Sequence, residues 1–210
     1  MGLITNLKVS EVVTLGDARA AAGFGAEFIA MPFIEDQEGG LTVEEALEIA
    51  GWVEGPIFVP EFDNPTPDFY DAVVKALNAR FAQINEMHHA LTLSAVRQRV
   101  IQNIDLGQFR NPNDVLIYIE ESPSTIKYWE LTLTREEIDD FLAVGAHRTL
   151  IREICRQYPV FLNFPFEPSN VRQLVEKYQP MGINLYAPGE ASAGEGDYDR
   201  LQAIVEQLEE

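Results

Sequence analysis

Positive charge is what this sequence has least of. Fifteen Lys and Arg stand against 34 Asp and Glu, a formal net charge of −19 with a pI near 4.4. Such a field repels DNA, RNA and anionic lipid, which excludes non-specific attraction to any of them. Cysteine is almost absent as well. The single Cys155, set in LIREICRQY, excludes an internal disulfide and a thiolate zinc cluster, and it fits the inner face of a helix in a protein of the reducing cytoplasm. No apolar run approaches the roughly 18 residues of a membrane-spanning helix. The opening MGLITNLKV also lacks a basic segment followed by an apolar core, so neither export nor membrane insertion is expected. His-x-His and His-Glu-x-x-His spacings are missing, and EASAGEGD has neither the lysine nor the spacing of a P-loop. No metal and no cofactor is expected.

What is present is alternation. Short apolar runs rich in Val, Ile and Phe are each followed by a helix-like stretch. LKVSEVV leads to TLGDARAAAGFG, where Thr14 suits a helix N-cap and Gly25 a left-handed end. AEFIAMPF leads through IEDQEGG to LTVEEALEIAGWV, in which Thr42 and Glu45 have capping-box spacing. PIFVPEF and TPDFYDAVVKAL follow, then FAQINEM with a weaker helical stretch in HHALTLSAVRQ. VIQNIDL reads as a fifth strand and VLIYIEE as a sixth, ahead of TREEIDDFLAVGAHRTLIREICRQY. PVFLNF with PSNVRQLVEKY, and GINLYA with DYDRLQAIVEQLEE, complete the series. Eight strand-then-helix units over residues 1–210 predict one domain, a closed (βα)8 TIM barrel. An open three-layer α/β sheet is the competing architecture. One unit is defective on this reading, because only the connection around 107–114, GQFRNPND, separates the fifth and sixth strands. A parallel crossover normally takes a dozen or more residues. Either the fifth helix is shortened or missing, or one strand is misassigned.

The two ends of the chain carry a family resemblance. KVSEVVTLGDARAAAGFGAEFIAMPF resembles the opening of phosphoribosylanthranilate isomerase, a tryptophan-biosynthesis barrel with Lys-Ile-Cys-Gly on its first strand, then Thr, Asp-Ala in a helix, and Gly-Ala-Asp before the second strand. Lys8, Val9, Asp17, Ala18, Gly25, Ala26 and Glu27 fall in register. FEPSNVRQLVEKYQPMGINLYAPGEASAGEGDYDRLQAIVEQL is similar to the family's closing Asn-Pro-x-Asn-Val helix, last strand, Ser-Ser-Gly-Val-Glu loop and final helix. The resemblance implies a general base at the cysteine slot, which Ser10 fills here, with Glu11 in place of the glycine. It implies a general acid at the end of the sixth strand, and Glu120 falls near that point with Glu121 beside it. It implies an arginine in the loop after the second strand, which DQEGGLT does not supply.

Phosphate binding is the sharper question. Barrels of this kind hold phosphate on backbone N–H groups of glycine-rich loops after strands seven and eight. The family reads Ser-Gly-Gly and Ser-Ser-Gly there; this chain has Asn163, Phe164, Pro165 and Tyr186, Ala187, Pro188, Gly189. Proline donates no N–H, and bulky rings stand where backbone must approach a ligand. The rim of the mouth is predicted to carry Glu11, Glu35, Asp36, Glu61, Asp63, Glu86, Asp105, Glu120, Glu121, Glu167 and Glu190, a set that suits a neutral or cationic molecule. Asn163 and Gly189, with Gln83 and Asn85 at the fourth strand, are the candidates for contacting a small ligand at the C-terminal mouth. Glu61, Asp63, Glu86 and His88 could ligate a cation, or simply be solvated; His88 and His89 could be acid and base, or a packed helix start. Tyr128 and Trp129 are placed after strand six as a pocket wall, core, or a patch for a second copy, which leaves a homodimer open. A serine has too high a pKa to take a proton without a neighbouring base, so Ser10 is a degenerate position. Two readings stand: an isomerase-like enzyme, either catalysing the family's reaction by an altered residue set or turned to a different neutral or cationic substrate, and a non-catalytic interaction or small-ligand-binding barrel.

Overall fold

The computed structural model describes residues 2–35, 39–87, 97–109, 111–188 and 195–210. The strands are β1 (Asn6–Ser10), β2 (Phe28–Pro32), β3 (Ile57–Phe62), β4 (Phe81–Ile84), β5 (Arg99–Asp105), β6 (Ile126–Thr132), β7 (Val160–Asn163) and β8 (Gly182–Tyr186). Each pairs in parallel with the next, and β8 closes onto β1 in register from Asn6↔Gly182 to Ser10↔Tyr186. The helices are α1 (Leu15–Gly23), α2 (Val43–Gly51), α3 (Pro67–Ala76), α4 (Pro112–Glu121), α5 (Ile138–Ala143), α6 (Gly145–Gln157), α7 (Val171–Tyr178) and α8 (Glu195–Glu206). This is the closed barrel that the alternation predicts. The helical stretch expected in HHALTLSAVRQ lies for the most part outside the described residues, as do Asp36, His88, His89, Gly189 and Glu190.

Local chemistry sets the helix ends. Thr14 Oγ1 accepts from the Asp17 N–H at the start of α1, and Gly25 takes φ 81° just beyond its end. Thr42 and Glu45 form the reciprocal capping box of α2. Cys155 lies buried on α6, its thiol pushed up to about 12 by burial.

The fifth helix is neither shortened nor missing. VLIYIEE is the body of α4, not a strand. Asn111 Oδ1 accepts from the Asn113 N–H, Pro112 stands in the first turn, and Asp114 faces the positive end of the helix dipole. Val115, Tyr118 and Ile119, at helical spacing, are buried. The sixth strand is IKYWELT instead, so Tyr128 and Trp129 belong to β6 rather than to a loop after it.

Each strand presents one side to the lumen and one to the helices. Val9, Ile29, Met31, Phe62, Ile84, Ile104, Leu131, Leu162 and Ile183 join the outer core beneath the helices. The lumen floor is a separate apolar cluster of Phe28, Ala30, Val59, Phe81, Ile101 and Phe161, with Tyr128 packed against it. Phe28 meets Phe81, Phe161 and Tyr128 edge-on, with centroids 5.5, 5.5 and 5.9 Å away. Tyr128 reaches this layer because the β5–β6 register shifts between Val100 and Ile101: Val100 pairs with Ile126, and Ile101 with Tyr128. The bulge at Lys127 reverses the facing of the rest of β6, so that Glu130 and Thr132 turn inward.

The floor tolerates no added atom beside Phe161. A Cβ on Gly182 would lie 2.5 Å from the Phe161 ring and 2.8 Å from the Asn6 carbonyl oxygen. Gly182→Ala is expected to cost about 1–3 kcal/mol through overpacking, read from the midpoint of urea unfolding.

Candidate functional site

Above the aromatic floor the lumen turns polar. Lys8, fully buried on β1, reaches across to Glu130 on β6, with Nζ 2.7 Å from Oε2. Its remaining protons go to Ser10 Oγ at 2.6 Å and Asn184 Oδ1 at 3.1 Å. Ser10 Oγ, while accepting from Lys8, donates to Asn184 Oδ1 at 2.9 Å. A hydroxyl held this way has no base beside it, because the ammonium has no lone pair to accept a proton. The other oxygen of Glu130 accepts from Gln83 Nε2 at 3.3 Å and Asn163 Nδ2 at 3.2 Å. Asn163 also donates to the Tyr186 hydroxyl at 2.6 Å and to Thr132 Oγ1 at 3.3 Å. The Tyr186 ring is half exposed at the mouth, but its hydroxyl turns inward, and burial pushes it up to about 12.

Glu61, on β3, is the second buried carboxylate of the lumen and forms no ion pair among the described residues. Its Oε1 accepts from Asn85 Nδ2 at 2.9 Å and Gln83 Nε2 at 3.2 Å, while its Oε2 has no hydrogen-bond partner among the described residues. Burial raises its pKa above the usual carboxylate range, Lys8 pulls it down, and Glu130 raises it again. It forms one wall of a cleft of about 260 Å³ with Glu11, Asp63, Asn85, Val13, Pro32, Phe33, Ile34 and Gly39. Glu11 is raised too, by partial burial and by Asp63. It holds a left-handed backbone at φ 58°, a conformation that favours glycine.

The predicted site residues divide. Ser10, Gln83, Asn85 and Asn163 meet in one hydrogen-bonded network around Glu130 and Glu61. Glu120 does not join them: it is exposed on α4, because the segment assigned to strand six is a helix. At the end of β6 stands Thr132, hydrogen-bonded to Asn103 at 2.6 Å, and the carboxylate of that strand is Glu130, two residues deeper. The predicted rim is likewise thinner than the count of acids suggested. Glu35 caps α3 through Thr66, Asp105 caps the turn after β5, and Glu167 takes both Arg135 and Arg200. Lys8, Glu130 and Asn184 were missed. The available signal was polar residues spaced two apart within otherwise apolar strands, as in Lys8 and Ser10 or Glu130 and Thr132. Among the described residues, no group of three or more His, Cys, Asp and Glu is placed to hold a metal ion.

A second cleft of about 320 Å³ opens on the opposite side of the mouth, walled by Thr132, Arg135, Phe164, Pro165, Tyr186 and Arg200 among others. Phe164 is buried against Phe166 there, with centroids 6.1 Å apart. Both guanidiniums in this cleft bind the Glu167 carboxylate, which they hold below the usual range, Arg135 foremost.

Fold and mouth together define the class: a (βα)8 barrel whose polar residues gather at the C-terminal ends of its strands. Within it, the chain is similar over nearly its whole length to phosphoribosylanthranilate isomerases. It is 24% identical over 203 residues, 96% of this chain and 98% of its relative, to N-(5'-phosphoribosyl)anthranilate isomerase of Rubrobacter xylanophilus. The phosphoribosylanthranilate isomerase of Thermotoga maritima superimposes with a TM-score of 0.73 at 17% identity, covering 97% of this chain and 98% of that one. A phosphoribosylanthranilate isomerase solved with reduced 1-(o-carboxyphenylamino)-1-deoxyribulose 5-phosphate gives 0.72 at 19% identity and the same coverage. No family model matches the chain.

Two expectations follow from the buried charges. Lys8→Met strands Glu130 without its cation and is expected to cost about 3–5 kcal/mol, whereas Lys8→Met combined with Glu130→Leu recovers at least half of that loss; urea titrations of the three proteins check this. Glu61 binds its proton more tightly in the native state than in the unfolded chain, so its contribution to stability is intact below 4.5 and falls as pH rises toward the higher native value. Glu61→Gln is therefore expected to stabilise the fold by about 1–2 kcal/mol at pH 8 and to lose that advantage near pH 4, measured as unfolding free energy against pH.

Proposed function

We propose that this chain is a divergent phosphoribosylanthranilate isomerase-like barrel that no longer carries the isomerase's base and phosphate cradle, and that binds a small neutral or cationic molecule at its C-terminal mouth. The observation that carries the reading is the state of Ser10, in the slot where the resemblance implies the general base. Its oxygen accepts from the Lys8 ammonium and its proton is spent on Asn184, so it has neither the pKa nor the partner to abstract a proton.

Further support comes from the acid side and the phosphate side. Glu130 is committed to Lys8, Gln83 and Asn163, and Thr132 stands nearer the mouth. Pro165 has no amide proton, Phe164 fills space beside it, and the nearby arginines already hold an internal carboxylate. Glu11, Glu61 and Asp63 on the other side would repel a carboxylated or phosphorylated substrate.

The decisive measurement is turnover of phosphoribosylanthranilate by the purified chain, with Glu120→Gln as a control far from the mouth. No turnover above the uncatalysed rate is expected. Activity that disappears on Ser10→Ala or Glu130→Gln, and survives Glu120→Gln, would restore the isomerase.

A further inference from the structure

We infer that the cleft walled by Glu11, Glu61, Asp63 and Asn85 is a binding site for an organic ammonium group carried on a short apolar body. This rests on the proposed reading and narrows it from a neutral or cationic molecule to one charge and one shape.

Carboxylates at a barrel mouth are not in themselves a site, and four further features make this one. First, Glu61 lines the cleft and is only 8% exposed, and among the described residues its Oε2 has no hydrogen-bond partner although Oε1 has two. A buried acceptor without a donor is costly unless something supplies one. Second, none of the ion pairs among the described residues involves Glu11, Glu61 or Asp63: the cations are spent on Glu130, Glu167 and Glu176. Third, Glu11 occupies a left-handed backbone position that glycine would adopt with less strain. Strain of this kind clusters where a side chain is needed for binding, and the side chain delivered here is a carboxylate lining the same cleft as Asp63.

Fourth, the rest of the wall is apolar. Val13, Pro32, Phe33 and Ile34 line the same 260 Å³ cleft. A hydrated metal ion has no use for that surface, and the acids are not grouped closely enough to replace its water shell. An alkylammonium uses both halves, its three N–H donors directed to the carboxylates and its carbon chain to the apolar side. Asn85 is already turned to Glu61 and Asp63 through its amide nitrogen, at 2.9 and 3.0 Å, which holds the two acids at one edge of the cleft.

The test titrates the full chain with n-butylammonium, with n-butanol as its uncharged counterpart and with calcium chloride, following methyl chemical shifts of Val13 and Ile34. Saturable binding of butylammonium is expected at millimolar concentration or below, with butanol at least tenfold weaker. Glu11→Gly is expected to weaken butylammonium at least tenfold while raising the urea midpoint, a combination that a purely structural Glu11 would not give. Asp63→Asn serves as a second variant on an exposed position, with the same loss of affinity expected. Unchanged affinity in both variants, or calcium saturating the cleft at lower concentration than butylammonium, overturns the inference. Butanol binding as tightly as butylammonium also overturns it, yet leaves the reading of a small-ligand mouth in place. Turnover of phosphoribosylanthranilate, by contrast, removes that reading whatever the cation titration gives.

Discussion

The ion pair between Lys8 and Glu130 is the interaction on which the upper half of the barrel depends. Both groups are almost wholly out of water, so neither is tolerable alone, and their attraction has to offset two desolvation penalties. That balance is met only because the leftover hydrogen-bonding capacity is also used. Ser10 and Asn184 take the other ammonium protons, while Gln83 and Asn163 donate to the far carboxylate oxygen. Residues from β1, β4, β6, β7 and β8 are thereby tied to one pair of charges. The aromatic floor of Phe28, Phe81, Tyr128 and Phe161 closes the lumen below it, which keeps the pair dry and its electrostatics strong.

One consequence is an asymmetric mouth. Lys8 serves as the buried cation for Glu130, and Glu61, sharing Gln83 with it, receives only a distant part of that charge. On the β6–β8 side the Glu167 carboxylate is neutralised within the chain, since it pairs with both Arg135 and Arg200. On the β1–β4 side no ion pair among the described residues neutralises Glu11, Glu61 or Asp63. The net −19 is thus a poor guide to where an approaching molecule feels the protein. Many acids cap helices or pair with arginine, and the field that matters comes from a few that do neither.

Most of the architecture was legible because it rests on local signals. Thr14, Gly25, Thr42 and Glu45 act at the helix ends as their types and spacing dictate. The error at VLIYIEE shows where such signals compete. Its β-branched and aromatic residues favour a strand, yet Asn111, Pro112 and Asp114 start a helix, and the apolar residues at 115, 118 and 119 fit a helical stripe as well as a strand. Misplacing that element ended the sixth strand short of Glu130 and put Glu120 in its place. The bulge at Lys127 hid the site further, because strict alternation from Ile126 would send Glu130 to the helices and Leu131 to the lumen. Which of 34 acidic residues stay unpaired depends on contacts between segments far apart in sequence. Nothing local encodes that.

The end of β1 is where, on the proposed reading, the chemistry of this barrel departs from that of the proteins it resembles while the frame does not. The resemblance implies cysteine then glycine after Lys-Ile, and here the backbone still turns through a glycine-like φ of 58° with glutamate in that slot. The turn is fixed on both sides by the sheet: the Val12 N–H donates to the Ala30 carbonyl oxygen at 3.1 Å, and the Ser10 carbonyl oxygen accepts from Ala187 at 2.9 Å. A side chain placed there has to accept the conformation it is given. Replacing glycine adds strain and a carboxylate together, while replacing cysteine by serine converts a titratable group into a hydrogen-bonding link between Lys8 and Asn184. On the proposed reading, these two adjacent differences give the mouth a carboxylate and leave a hydrogen-bonded hydroxyl where the resemblance implies a base. A shared barrel therefore says little about shared chemistry, and the left-handed backbone at Glu11 is the feature of the frame that the proposed role for its carboxylate accounts for.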